Sequence, residues 1–144
     1  MEKIRDLMTD DVEACSPLDS VYEVAVKMKN LNVGAMPIVD NGKLVGMITD
    51  RDIVLRCVAE KTPVTSKVGE IMSENLVTVT PEDSSHDAVR LMARHQVRRL
   101  PVVQGDKLIG IVALGDLAVR HLTDDQAKEA LSEISEPSRP EQAH

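Results

Sequence analysis

Aromatic side chains are almost missing. Tyr22 stands alone in 144 residues, with no Phe and no Trp. Platforms for stacking single-stranded nucleic acid are therefore excluded, and the core must be built from Val, Ile, Leu, Met and Ala. Basic charge is also scarce: 17 Lys and Arg face 24 Asp and Glu, a formal net charge of −7. Nucleic-acid binders carry a basic face, so no such partner is expected. The two cysteines, Cys15 and Cys57, lie far apart and form no CxxC motif. They read as reduced thiols of a cytoplasmic protein, with a disulfide left open at this level. No apolar run approaches the roughly 18–20 residues of a membrane span. Residues 1–12 are charged throughout, unlike a signal peptide. His86, His95 and His121 share no metal-ligand spacing, and no Ser-His-Asp or Cys-His set is visible. Neither an enzyme nor a metal centre is expected.

What is present is an internal repeat. A single constant shift lays 4–56 on 68–120 without a gap. Met8 meets Met72, Pro17 meets Pro81, Pro37 meets Pro101, Gly46 meets Gly110, and Asp52 meets Asp116. The chain divides into residues 1–60, a linker over 61–67, a second copy over 68–122, and 123–144. The last stretch reads as a short helix, Ala127 to Ile134, followed by a disordered tail. One copy of about 60 residues buries too little surface to be comfortable alone, so two copies packed sheet to sheet are expected.

Within each copy the pattern is helix, strand, helix, strand, strand, helix. Ile4 to Met8 reads as a lead-in helix and Val12 to Cys15 as a short strand. Ser20-x-x-Glu23 is a capping box. Val21, Val24, Ala25, Met28 and Leu31 then follow helical spacing. Ala88, Leu91 and Met92 are the thinner stripe of the second copy. Ala35 to Val39 is a strand with Pro near its start. Asp40-Asn41-Gly42-Lys43 is a tight hairpin turn. Leu44 to Ile48 is so apolar that both of its faces should be buried. A helix follows from Arg51 to Ala59.

The stretch Gly46 to Asp52 and its echo, Gly110 to Asp116, join a strand directly to a helix. A helix start offers unpaired N–H groups and partial positive charge to an anion. Thr49 there suits a phosphate, and Asp52, one turn on, suits the hydroxyls of a ribose. Thr49-x-x-Asp52 is equally a capping box that needs no ligand. The echo keeps Asp116 but replaces the Thr by Ala113, which a pure cap would not predict. Arg94 to Arg99 is the only basic cluster. It suits either a solvated helix end or a phosphate contact.

As a set, these residues resemble a pair of CBS domains, the Bateman module, of the small stand-alone prokaryotic type. The signatures are Met8 and Met72, Ser16-Pro17 and Thr80-Pro81, Val33 to Pro37 and Val97 to Pro101, and the two Gly-to-Asp motifs. The resemblance implies an α+β fold of tandem repeats about a pseudo-two-fold axis, with small mixed sheets flanked by helices. It implies a regulatory homodimer that senses AMP, ADP or ATP, or else S-adenosylmethionine, and signals to a protein partner. In one cleft Thr49 and Asp52 would meet ribose and phosphate. Leu76 and Val77 would flank the base, with Arg98 and Arg99, beside Pro101, on the phosphates. A weaker cleft would pair Asp116 with Val12, Glu13, Ala35, Met36 and Pro37. The alternative is a dimeric scaffold whose clefts are vestigial.

Overall fold

The computed structural model describes residues 2–120, with the side chains of Val119 and Arg120 excepted. The expected helix at 127–134, the tail, His121 and His144 lie outside the described residues. Helix α1 spans Val21–Leu31, strand β1 Ala35–Asp40, strand β2 Lys43–Thr49 and helix α2 Asp50–Ile53. The same elements recur at the matching positions of the second copy: α3 Ser85–His95, β3 Arg99–Gln104, β4 Lys107–Ala113 and α4 Leu114–Arg120. The duplication is therefore structural as well as sequential.

Local chemistry explains these boundaries. The Ser20 hydroxyl accepts from the Glu23 N–H at 3.0 Å, and the Glu23 carboxylate accepts from the Ser20 N–H at 3.1 Å. Ser84 caps α3 in the same way, accepting from the Asp87 N–H. Both helices end on a residue with positive φ, Asn32 at 56° and Gln96 at 53°, whose N–H groups close the last turn. The first hairpin turns through Asn41 and Gly42, both at positive φ (52° and 81°). That is the two-residue turn matching the twist of antiparallel strands. The second hairpin uses Gly105 at 67°.

The residues cluster into two compact units. The first takes 12–76 with 105–108, and the second takes 2–11, 77–104 and 109–120. In the first unit β1 and β2 pair antiparallel, Ala35 opposite Thr49 and Ile38 opposite Gly46. Lys43 also pairs with Lys107, where β4 begins. The core joins Val21, Val24, Met28, Met36, Ile38 and Ile48 to Cys57, Val68 and Ile71. In the second unit β3 and β4 pair. Its core joins Val89, Met92, Leu100, Val102, Val112 and Leu117 to Ile4 and Leu7.

Each unit is thus completed by the lead-in of the other sequence repeat. Val68 N–H donates to Asp19 O and Ile4 N–H to Asp83 O, two bonds at equivalent positions of the duplication. Met47 and Ser73 exchange a pair of backbone hydrogen bonds (2.9 and 2.8 Å). Thr9 and Ile111 do the same (2.8 and 2.9 Å). The glycines of the two motifs sit under these crossings. A Cβ on Gly46 would collide with Met72 Sδ, and one on Gly110 would lie 2.6 Å from Met8 Sδ.

Several expectations change. Val12 to Cys15 is not a strand: a single parallel bridge joins Cys15 to Ile38, because the Ser16–Pro17 turn follows at once. The lead-in is one 3-10 turn, Ile4–Asp6, since the chain must extend again to pair at Thr9. The helix after β2 is one α turn that widens into a π turn over Val54–Val58, with Ala59 N–H reaching back to Val54 O. Leu31 is 40% exposed, whereas Val21, Val24 and Met28 are buried, so the stripe is narrower than its spacing predicts. Strand β2 has one face buried and the other half-buried.

Gly46→Ala should lower the unfolding free energy by about 1–3 kcal/mol, because the methyl group overpacks the Met72 crossing. Gly115→Ala, on α4 with open space at its Cβ, should raise it by up to about 1 kcal/mol through helix propensity. Urea unfolding of both variants checks the contrast. A second expectation concerns pH. The Ser20 N–H, and then its hydroxyl, hold the Glu23 carboxyl below its ordinary value. A depressed carboxyl stabilises above its unfolded pKa, and the benefit disappears as pH falls through the folded value. Glu23→Gln should therefore flatten the acid limb of a stability–pH profile, lying below wild type above that limb and converging on it at its acid end.

Candidate functional site

Some of the expected site residues lie at the open end of each hairpin. In the first unit Thr49 ends β2 directly opposite Ala35, which opens β1. Asp50 N–H donates to Gly34 O at 2.9 Å, fastening the start of α2 to the start of β1. Thr49 Oγ1 accepts from the Asp52 N–H, and Asp52 Oδ2 from the Thr49 N–H, both at 3.0 Å. The capping box is real. It leaves Asp52 Oδ1 and the Thr49 hydroxyl proton unassigned by these two bonds. Both residues are half-buried. Met36 and Pro37 are buried in the strand, and Pro37 O accepts from Cys15 N–H at 3.0 Å.

The second unit repeats this frame with different chemistry. Leu114 N–H donates to Arg98 O at 2.7 Å, the counterpart of the Asp50–Gly34 bond. Exposed Arg98 and Arg99 replace Gly34 and Ala35, and buried Pro101 follows them. Asp116 is exposed in the first turn of α4. Val77 is half-buried before Val79, whose N–H donates to Pro101 O at 3.1 Å. One hairpin end therefore carries a hydroxyl and a carboxylate, and the other carries two guanidinium groups and an exposed carboxylate.

The two expected residue sets each draw on both units. Thr49, Asp52 and Leu76 belong to the first unit, and Val77, Arg98, Arg99 and Pro101 to the second. Val12, Glu13, Ala35, Met36 and Pro37 belong to the first, and Asp116 to the second. Within a unit, the hairpin register brings Thr49 beside Ala35, residues assigned to different sets. Glu13 is exposed and ion-paired to Lys27 at 3.3 Å, and Lys27 Nζ also donates to Ala14 O at 2.8 Å. Sequence reasoning missed that lysine, whose partners lie well beyond one helical turn in the chain.

Sequence reasoning also missed an open groove of about 360 Å³ between α1 and α2, lined by Met28, Lys29, Asn32, Asp50, Ile53 and Val54 among others. Thr49 and Asp52 do not line it. Asp50 sits there because its carboxylate lies over Gly34, where a Cβ would be 3.3 Å from Oδ2. The available signal was that polar Lys29 and Asp50 stand where the second copy carries Ala93 and Leu114.

Both thiols are buried. Cys57 Sγ donates to Thr62 O at 3.2 Å, and burial pushes the Cys15 thiol up. The described residues contain no group of three His, Cys, Asp or Glu suited to a metal ion. No helix among them is long and apolar enough to cross a membrane.

Two helix-and-hairpin units on a duplicated frame define an α+β tandem-repeat fold. The CBS domain profile matches residues 4–59 and 68–120, and the chain belongs to the CBS domain family, with two repeats. CBS pairs are regulatory ligand-binding modules. The chain is 51% identical over 138 residues to YlbB of Bacillus subtilis (strain 168), spanning 94% of this chain and 93% of that protein. Its fold is similar to CBSX2 solved in complex with AMP (TM-score 0.75, 28% identity, 87% of this chain and 99% of that one). It is also similar to the CBS domain pair of MJ0100, solved with 5-methylthioadenosine and S-adenosyl-L-methionine (TM-score 0.75, 26% identity, 85% and 98%).

Thr49→Ala should cost about 1 kcal/mol of stability with no ligand present, through loss of the cap, and Thr49→Ser should restore most of it. Chemical denaturation of the two variants checks this structural share of the motif.

Proposed function

We propose that this chain is a cytoplasmic, non-catalytic regulatory module that senses adenine nucleotides (AMP, ADP or ATP), with S-adenosylmethionine as the next adenosine ligand to consider. It works as a homodimer read by a partner protein. The observation that carries the reading is the division of chemistry between the hairpin ends. Asp52 offers an acceptor suited to the hydroxyls of a ribose, and Thr49 a hydroxyl suited to phosphate. Arg98 and Arg99 offer planar donors suited to phosphate. Leu76, Val77 and Pro101 supply apolar surface for the base. A nucleotide needs all three, so its binding shifts the population of conformations that a partner reads. The ligands held by CBSX2 and MJ0100 support the adenosine class.

The second set, Asp116 with Val12, Glu13, Ala35, Met36 and Pro37, has no guanidinium groups and an acidic Glu13. It suits an uncharged adenosine better than a phosphate. A vestigial scaffold is favoured by one observation: the box already uses Thr49 Oγ1 and Asp52 Oδ2.

Thermal unfolding with each ligand at millimolar concentration separates these readings. At about 100 times its Kd, a ligand should add about 2.7 kcal/mol to wild type. Asp52→Ala and Arg99→Ala should abolish most of that increment, whatever their unliganded stability. If no ligand moves the wild-type transition, the scaffold reading takes its place.

A further inference from the structure

Two positions of the first repeat differ as a pair from their counterparts in the second. Lys27, on α1, is ion-paired to Glu13 at 3.3 Å and donates to Ala14 O at 2.8 Å. The matching positions of the second copy are Leu91, on α3, and Val77, with Thr78 in place of Ala14. Val77 and Leu91 are half-buried and pack against the core of their own unit. The backbone beside these positions is the same in both units. Cys15 N–H donates to Pro37 O at 3.0 Å, and Cys15 O accepts from Val39 N–H at 2.8 Å. Val79 N–H donates to Pro101 O at 3.1 Å, and Val79 O accepts from Val103 N–H at 2.9 Å. One frame thus carries an ion pair in the first unit and an aliphatic pair in the second.

We propose that Lys27 is a specificity-determining residue: by holding Glu13 and the Ala14 carbonyl it closes the base position of the second residue set to adenine, so each chain takes one adenine nucleotide, with its base at Val77. The inference deepens the sensor reading above and rests on it. Three arguments carry it. First, a base laid on Val77 and Leu91 covers apolar surface, which is favourable. Laid on Glu13 and Lys27 it would take two charges out of water, a cost that their mutual attraction does not offset. The pair is a weak stabiliser, with the Lys27 side chain 38% and the Glu13 side chain 59% exposed. Its weight lies in what cannot be placed over it. Second, the amino group of adenine is a donor and needs an acceptor. Lys27 already donates to Ala14 O, so a donor there would meet an ammonium group. At Thr78 the side chain in the position of Lys27 is Leu91, which has nothing to donate. Third, the second set has no guanidinium groups, and Lys27 is the cation that could have served a phosphate in their place. Glu13 neutralises it.

The test uses the full chain and isothermal titration with AMP and with adenosine, the latter reading the base without a phosphate. Wild type should saturate at one AMP per chain. Glu13→Val with Lys27→Leu, which gives the first copy the side chains of the second, should add a second binding event for adenosine. Asp116→Ala on that background should remove the added event. Lys27→Arg, which keeps a cation beside Glu13, should not add one. The reverse exchange, Val77→Glu with Leu91→Lys, should weaken AMP binding at least about tenfold by placing charge under the base. Circular dichroism verifies each fold, and Glu13 and Lys27 lie outside the buried core of their unit. A wild type that binds neither ligand overturns the sensor reading and this one with it. A wild type that binds two AMP per chain, or a Glu13→Val, Lys27→Leu chain whose adenosine stoichiometry stays that of wild type, overturns the role of Lys27 and leaves the sensor reading in place.

Discussion

Each unit depends on one crossing, a lead-in methionine lying over a glycine of the second hairpin strand. Met72 fills the space that a side chain at Gly46 would take, and Met8 does so at Gly110. The backbone pairs Met47–Ser73 and Thr9–Ile111 seal the crossing. A Cβ at the glycine would displace the methionine side chain and press on the crossing backbone, 3.1 Å from Ser73 O in one unit and 3.0 Å from Thr9 O in the other. The crossing also places Val68 and Ile71 in one core and Ile4 and Leu7 in the other. A single repeat therefore lacks part of its own core. This is a more specific reason for the duplication than the small size of one repeat.

The glycine and the aspartate of the motif consequently answer to different demands. The glycine belongs to packing. Thr49 and Asp52 belong to the helix start, where a carboxylate and a hydroxyl serve the backbone with one oxygen each and retain further capacity. Capping and ligand recognition are compatible here, because a box already holding both side chains costs little further entropy when a ligand arrives. The second repeat replaces Thr49 by Ala113 and Gly34-Ala35 by Arg98-Arg99 on the same backbone frame. Divergence has thus altered the chemistry at the hairpin ends and left the register intact.

The same pattern holds on the outer helices. Val24 and Met28 match Ala88 and Met92 in burial, whereas Tyr22 and Val26 are apolar where the second repeat carries His86 and Arg90. Core positions are constrained by volume, since a buried cavity or overpacking costs several kcal/mol. Exposed positions carry no such constraint, and there the two copies have become different surfaces.

The ungapped register of the duplication, the hairpin at Asn41-Gly42 and the Ser20–Glu23 and Thr49–Asp52 boxes were legible in the chain. The hairpin and the boxes rest on atoms close together in sequence, so residue type and spacing determine them. The strands and the stripe of α1 were legible to within a few residues, with Leu31 and Val12–Cys15 misjudged because burial and pairing there depend on distant chain. Only the tertiary structure decided that each lead-in completes the other repeat, that Glu13 is held by Lys27, and that Asp50 turns into the groove of α1. Gly46 and Met72, or Met8 and Gly110, are too far apart for any local pattern to join them. Their contact exists because it half-buries a methionine and forms two backbone hydrogen bonds at once, a gain that appears only when the chain has closed on itself.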